Sequence, residues 1–164
     1  MVELSLPIVS SLQSRIATAH TVMADWSLPD EVFTHSLIDH LTAAGIRVVL
    51  PHVTGPTTME LHQYTGIASM TPGAFGIMEP TGSLFTDYAA VDTVIGPGIA
   101  FDRQGHRLGR GRGYYDRLLP LLPNATTIGL CFPFQLVEHV PTDCHDITMD
   151  EVVCGDVVIR KQGL

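Results

Sequence analysis

Hydrophobic and polar positions recur along this chain with two different periods. Between residues 4 and 17, Leu4, Ile8, Val9, Leu12 and Ile16 follow helical spacing, which predicts a helix with Pro7 near its start. Thr21–Trp26 reads as a short strand. Ser27 is placed to cap a helix of roughly 29–44, with Pro29, Asp30 and Glu31 in its first turn and Gly45 as its stop. The run 47-RVVLPHV-53 is rich in β-branched side chains and predicts a buried strand. Strand, helix, strand is the pattern of a parallel sheet.

Farther on, 59-MELHQY-64 alternates as an edge or hairpin strand does. The stretch 71-TPGAFGIMEPTG-82 holds too many Gly and Pro for regular structure and reads as a shaped loop. Val91–Ile95 is a strand ended by 96-GPG-98. A helix is expected from about Gly113 to Leu122, then strands at 126-TTIGLCF-132 and near 151–159, separated by the loop 139-HVPTDCHD-146. These elements predict one α/β domain over residues 1–164: three layers, α/β/α, around a mixed, mostly parallel sheet.

Composition narrows the function classes. No apolar run approaches the ~18 residues of a membrane helix, and the N-terminus lacks the basic region and long apolar block of a secretory signal. Cys131, Cys144 and Cys154 are odd in number and form no CxxC pair, so neither a disulfide framework nor a zinc site is indicated. A reducing cytoplasm is the expected setting. The net charge of −8 argues against a general nucleic-acid surface, which needs spread positive charge. The distribution of charge matters more. Of nine Lys and Arg residues, Arg103, Arg107, Arg110, Arg112 and Arg117 fall close together, a positive spot that suits a small anion better than a polymer.

That spot is 107-RLGRGRGYYDR-117. Glycines at 109, 111 and 113 remove side chains from alternate positions, so the backbone can approach a ligand and present its N–H groups to an anion. The predicted helix from Gly113 adds a positive dipole end. Arg107, Arg110 and Arg112 supply forked donors that match phosphate oxygens. Tyr114 and Tyr115 offer flat faces and hydroxyls. Asp116 would pair with an arginine or hold a divalent cation such as Mg²⁺. A solvated arginine loop is the bland alternative, and the alternating glycines weigh against it. Neither a Walker loop nor a GxGxxG dinucleotide motif is present.

The run 94-VIGPGIAFDRQGHRLGRGRGYYDRLL-119 resembles the signature of the 5-formyltetrahydrofolate cyclo-ligase (methenyltetrahydrofolate synthetase) family. Three more matches lie in order along the chain: 27-SLPDEV-32, 73-GAFGIMEP-80 and 133-PFQLVEHVPTDCHD-146. The resemblance implies ATP- and Mg²⁺-dependent ring closure. The formyl oxygen of 5-formyltetrahydrofolate takes the γ-phosphoryl group, the neighbouring amine attacks the activated carbon, and phosphate leaves to give 5,10-methenyltetrahydrofolate. Such chemistry asks for positioning and charge neutralisation rather than a nucleophilic side chain.

Carried over by position, the resemblance makes Arg107, Leu108, Gly109, Arg110, Gly111, Arg112, Gly113, Tyr114 and Tyr115 the ATP loop. Arg110, Gly111, Arg112, Gly113 and Tyr114 would also face the folate, and Arg110, Arg112 and Tyr114 would be catalytic. Trp26 and Glu31 match folate-contacting positions, although on residue grounds Trp26 could equally be core and Glu31 an ordinary first-turn acid. Asp116 and Asp146 match magnesium positions, with a turn or cap role as the alternative for Asp146. Glu79 and Pro80 are expected to shape the folate side. The expected partner is the small-molecule folate, polyglutamylated or not, with no nucleic acid and no membrane, on a monomer.

One departure from the family pattern is visible. The basic K-x-x-x-R helix that normally precedes this region is missing from the front, and Arg15 is the first basic residue. Weaker ATP binding and poor turnover are therefore expected. Two other readings stay open: a non-catalytic folate- or nucleotide-binding protein of the same fold, and a sugar-phosphate or acyl-CoA enzyme on a similar scaffold.

Overall fold

Helix α1 (Val2–Arg15) forms where the helical period places it, with Pro7 inside rather than in its first turn. The computed structural model describes residues 2–73, 76–109, 113–142, 147–155 and 157–160. Ile8, Val9, Leu12 and Ile16 are buried, but Leu4 points outward at 58% exposure and Ser5 is buried instead. The reason is a backbone donor: Ser5 Oγ accepts the Phe33 N–H at 2.9 Å, which no leucine could do.

Strand β1 (Thr21–Met23) is shorter than expected, and α2 (His35–Ala43) starts later. Residues 29–34 are not helical. The Ser27 N–H donates to Thr34 Oγ1 at 3.2 Å and the Thr34 N–H donates to Ser27 Oγ at 3.0 Å. The Leu28 N–H donates to Glu31 Oε1 at 2.8 Å. Ser27 Oγ thus takes the Thr34 N–H that a helix would have used, and the other two bonds brace a turn in the helix's place. Gly45, at φ +84°, ends α2 as its sequence position predicts.

Strand β2 (Arg47–Val53) turns into β3 (Met59–Tyr64) as an antiparallel hairpin. β6 (Leu84–Phe85) covers the outer side of β3, so β3 is a hairpin strand and not an edge. The Gly/Pro-rich stretch is partly regular, because β4 (Met70–Pro72) and β5 (Met78–Pro80) pair as a small ribbon. β7 (Thr93–Gly96) re-enters the main sheet. A second ribbon, β8 (Ala100–Phe101) with β9 (Arg107–Leu108), replaces part of the expected loop. Helix α3 (Tyr114–Leu118) passes into a 3-10 turn at Leu119–Leu121. β10 (Thr126–Cys131) follows. The last predicted strand is a hairpin of β11 (Glu151–Cys154) and β12 (Val157–Arg160), folded at Gly155, whose φ of +66° a strand residue does not adopt.

The main sheet runs β12-β11-β10-β7-β1-β2-β3-β6. Its five inner strands, β11 to β2, are parallel, and the flanking strands are antiparallel. The sheet is therefore mixed and mostly parallel, as predicted. Alternation along the strands sends side chains to two faces. Val22, Val48, Leu50, Ile128 and Leu130 pack with α1 and α2, whereas Met23, Val49, Leu61 and Val94 pack with Tyr115, Leu118, Leu119 and Leu122. This is the three-layer arrangement. Arg15 pairs with Glu151 at the start of β11, the end of the sheet opposite the cleft described below.

Candidate active site

In an open parallel sheet, ligands bind beyond the carboxyl ends of the strands, where successive connections leave in opposite directions. Here that point is β1, since the chain goes next to β2 on one side and later returns to β7 on the other. A cleft of about 1060 Å³ opens there. Asp25 and Trp26 follow β1, Pro51–Val53 end β2, and Pro97 and Gly98 follow β7, all lining it. Its volume is at the upper end of small-molecule sites, which suits two ligands side by side.

Of the sequence-predicted residues, Trp26, Glu31, Arg107, Leu108, Gly109, Gly113, Tyr114, Tyr115 and Asp116 line this one cleft. Arg110, Gly111, Arg112 and Asp146 lie outside the described residues. Predicted residues as far apart as Trp26 and Asp116 are thus brought to a single opening.

Arg107 is placed by a buried turn. Asp102 is fully buried; its Oδ1 accepts the Gln104 and His106 N–H groups at 3.0 Å each, and its Oδ2 accepts the Val140 N–H at 3.0 Å. His106 Nδ1 lies 2.8 Å from Oδ2. Burial pushes this carboxyl up, but the bonds from Val140 and His106 outweigh it and hold Asp102 below the ordinary carboxylate range. The turn closes on Gly105, at φ +87°, where a Cβ would meet the Met149 carbonyl at 2.4 Å. Phe101, just before Asp102, lies over Gly129 of β10, where a Cβ would come within 2.4 Å of its ring.

Arg107 then bridges two parts of the site. Its Nε–H donates to the Pro97 carbonyl, and its guanidinium sits 4.6 Å above the Tyr115 ring. A Cβ at Gly109 would collide with that guanidinium at 2.8 Å, so the glycine permits the close approach. Tyr115 does not offer an open face, contrary to the expectation for both tyrosines: its ring belongs to the core beneath α3. Its hydroxyl is buried without a protein partner among the described residues. Burial, then the Asp25 charge, push it well above its ordinary value against the opposing Arg107 charge, so it stays protonated.

Tyr114 points the other way. Its hydroxyl donates to the Gly55 carbonyl at 3.0 Å and ties α3 to the β2–β3 hairpin. Gly113, at φ +69°, is the left-handed residue that starts α3. Because α3 has only five residues, its dipole is weaker than a full helix would give. Asp116 Oδ1 accepts the Ile147 N–H at 3.2 Å, which draws α3 to the segment that follows Asp146. No group of three or more His, Cys, Asp or Glu side chains gathers as a metal site among the described residues.

Glu31 is buried and closes the 27–34 turn through the Leu28 N–H. Trp26 is half-buried and stacks on His35. Three features of the cleft escaped sequence reasoning. Asp25 adds a second carboxylate beside Glu31. His52, on β2, lines the cleft with a buried Nδ1 that has no partner among the described residues. Met59, Met70 and Met78 supply an adaptable apolar wall. The alternation of 47–53 could have shown that His52 and Leu50 share a face, but not that this face ends at a ligand site.

The cleft thus combines the cations of Arg107 and Arg117 with the carboxylates of Asp25 and Glu31, and Gly109 leaves room for the Arg107 guanidinium, a lining that can meet both an anionic group and a donor-rich ring edge. The model of the 5-formyltetrahydrofolate cyclo-ligase family matches residues 9–155.

This chain belongs to the 5-formyltetrahydrofolate cyclo-ligase family.

Within that family, the 5-formyltetrahydrofolate cyclo-ligase of Escherichia coli is 33% identical over 144 residues, covering 84% of this chain and 79% of the relative. The solution structure of Aquifex aeolicus 5,10-methenyltetrahydrofolate synthetase superposes with a TM-score of 0.84 at 33% identity, covering 99% of this chain and 83% of that one. A Mycoplasma pneumoniae 5,10-methenyltetrahydrofolate synthetase shares the fold, with a TM-score of 0.74 at 23% identity over 94% of this chain and 86% of that one. The family match covers most of the α/β elements described above, from α1 to the end of β11.

Proposed function

We propose that the protein catalyses the ATP-dependent cyclisation of 5-formyltetrahydrofolate to 5,10-methenyltetrahydrofolate, with release of ADP and phosphate. The observation that carries this reading is the convergence of Arg107, Tyr114 and Asp116 with Trp26 and Glu31 on one cleft in a member of this family. ATP would supply the phosphoryl group that makes the formyl oxygen a leaving group. The protein's part is to hold and to neutralise. Arg107, Gly109 and Gly113, with Arg110, Gly111 and Arg112 between them in sequence, face the phosphates. Asp116 and Asp146 would hold Mg²⁺, which would neutralise charge on the phosphates. Glu31 accepts from the amino-pyrimidine edge of the pterin, and Trp26 packs against its ring.

The folate side accepts the substrate as a small molecule, with or without extra glutamates. The thiols of Cys131 and Cys154, both buried and not joined in a disulfide, fit a reducing cytoplasm, and the protein acts there as a monomer. No helix of the described residues is long and apolar enough to cross a membrane.

The test is direct. Protein mixed with 5-formyltetrahydrofolate, ATP and Mg²⁺ generates the near-ultraviolet absorbance of the methenyl product. Arg110→Ala removes that activity by a factor of about 10² or more while the Tm stays close to wild type. A wild-type protein that binds neither ligand by calorimetry ends the proposal. Binding of the folate alone favours the non-catalytic reading.

A further inference from the structure

Trp26 is the only tryptophan in the chain, and its indole reaches the cleft half-buried. His35, the first residue of α2, lies flat against it, with ring centroids 3.8 Å apart and planes 13° from parallel. The imidazole has supports of its own. Its Nε2 is 2.9 Å from the Ser27 carbonyl, and a carbonyl only accepts, so this nitrogen carries the proton. Phe33 packs on the same imidazole with centroids 4.6 Å apart. On the β3 side, Tyr64 tilts against the indole at 5.8 Å, and its hydroxyl donates to Asp39 at 2.6 Å. Burial, opposed by the Ser27 bond and the Asp39 charge, keeps His35 below its ordinary value and therefore neutral near pH 7.

His35 does not itself line the cleft. An isolated indole on a loop would sample several rotamers, and ordering it on ligand binding would cost affinity. Stacking on a ring that is bonded to the same loop removes that freedom beforehand. We propose that His35 is a positioning residue: held by Ser27 and Phe33, it fixes the orientation of Trp26 and so sets affinity for the flat ring system of the substrate. This rests on the assignment of the Trp26 side of the cleft to the folate.

The experiment follows Trp26 emission during titration with 5-formyltetrahydrofolate, together with steady-state kinetics and near-ultraviolet circular dichroism. Wild type is compared with His35→Leu and His35→Phe. In wild type the emission changes on binding. His35→Leu alters the near-ultraviolet signal of the ligand-free indole and raises the folate Kd and KM about threefold to tenfold. The KM for ATP and the kcat stay close to wild type. His35→Phe, which keeps a flat ring without the Ser27 bond, recovers part of the loss. Should His35→Leu fail to fold, His35→Gln keeps the donor without the ring and serves the same comparison with His35→Phe.

Unchanged folate affinity and an unchanged indole signal in the ringless variant, with a responsive wild type, overturn the positioning role alone. Equal losses for folate, ATP and kcat overturn it too, because they report general damage. A wild type that turns over folate with silent Trp26 emission places the indole away from the substrate and overturns the proposal. A wild type that neither binds nor converts folate fails the functional reading itself, and this inference with it.

Discussion

Asp102 carries a full negative charge where no water reaches, and three backbone N–H groups converge on it. Its folded-state pKa lies below the ordinary 3.8. The unfolded chain therefore binds the proton more readily, and the carboxylate's contribution to folding is present in full above that ordinary value. It is lost as the pH falls through the depressed folded value. Asp102→Asn keeps the shape but weakens the acceptors and leaves donors poorly matched. It is expected to cost about 1–3 kcal/mol near neutral pH, and the gap to wild type should narrow in urea melts at about pH 3. A gap independent of pH would show that the charge plays no part. At this scale the sequence was informative about residue type and less so about direction. Arg107 is legible in the sequence as a cation for phosphate, but no local pattern shows that its Nε–H anchors on the Pro97 carbonyl and its guanidinium lies over the Tyr115 ring. Tyr115 looks in sequence like an open platform, and its ring is core. A side chain's rotation about its helix depends on what packs beneath it, and the sheet beneath α3 is assembled from segments far away in sequence.

Among the elements, the turn between β1 and α2 departs most from its sequence pattern and lies closest to function. Pro29, Asp30 and Glu31 look like a helix start, and Ser27 like its cap. The turn that forms instead is knotted by Ser27, Glu31 and Thr34, and it carries both Trp26 and Glu31 to the cleft. Thr34 Oγ1 also donates to the Asp25 carbonyl at 2.7 Å. Thr34→Val keeps the volume and removes the two bonds of Thr34 Oγ1, to the Ser27 N–H and the Asp25 carbonyl, so it is expected to cost about 1–3 kcal/mol by chemical denaturation. The folate KM should rise with it, because the turn orients Trp26 and Glu31. Full stability with an unaltered KM would mean that packing alone holds the turn. Elsewhere the periodicity was a good guide. The α1 stripe, the β2–β3 hairpin, the Gly45 stop and the start of α3 all lie close to where it placed them. The misplaced features were β-ribbons and hairpins of two to four residues per strand, too short for a period to register.

For the whole molecule, the cleft joins elements from both sides of β1, so a bound ligand adds to the links that the sheet and the Tyr114–Gly55 bond already make between them. Anything that binds only the folded state stabilises it by mass action, about 2.7 kcal/mol at a hundredfold excess over Kd. For a chain of this size that corresponds to a rise in Tm of roughly 5–10 °C. Such a rise is expected with 5-formyltetrahydrofolate, and separately with a non-hydrolysable ATP analogue plus Mg²⁺. A Tm that ignores the nucleotide while responding to folate would remove the ATP half of the proposal. Omitting Mg²⁺ should shrink the nucleotide effect if Asp116 and Asp146 share the ion.

By itself, the sequence determined the class of the fold and the character of the site. Helical and strand periods, Gly45 and the arginine–glycine stretch are properties of neighbouring residues, and neighbours are what a linear pattern can report. Tertiary structure decided which side chains meet. Asp25, His52, Arg107 and Tyr115 come to one cleft, and His35 to Trp26, because of the strand order around β1 and because bonds within the 27–34 turn outcompete a helix there. Those choices depend on the free energy of burying distant segments together, and no local period encodes that.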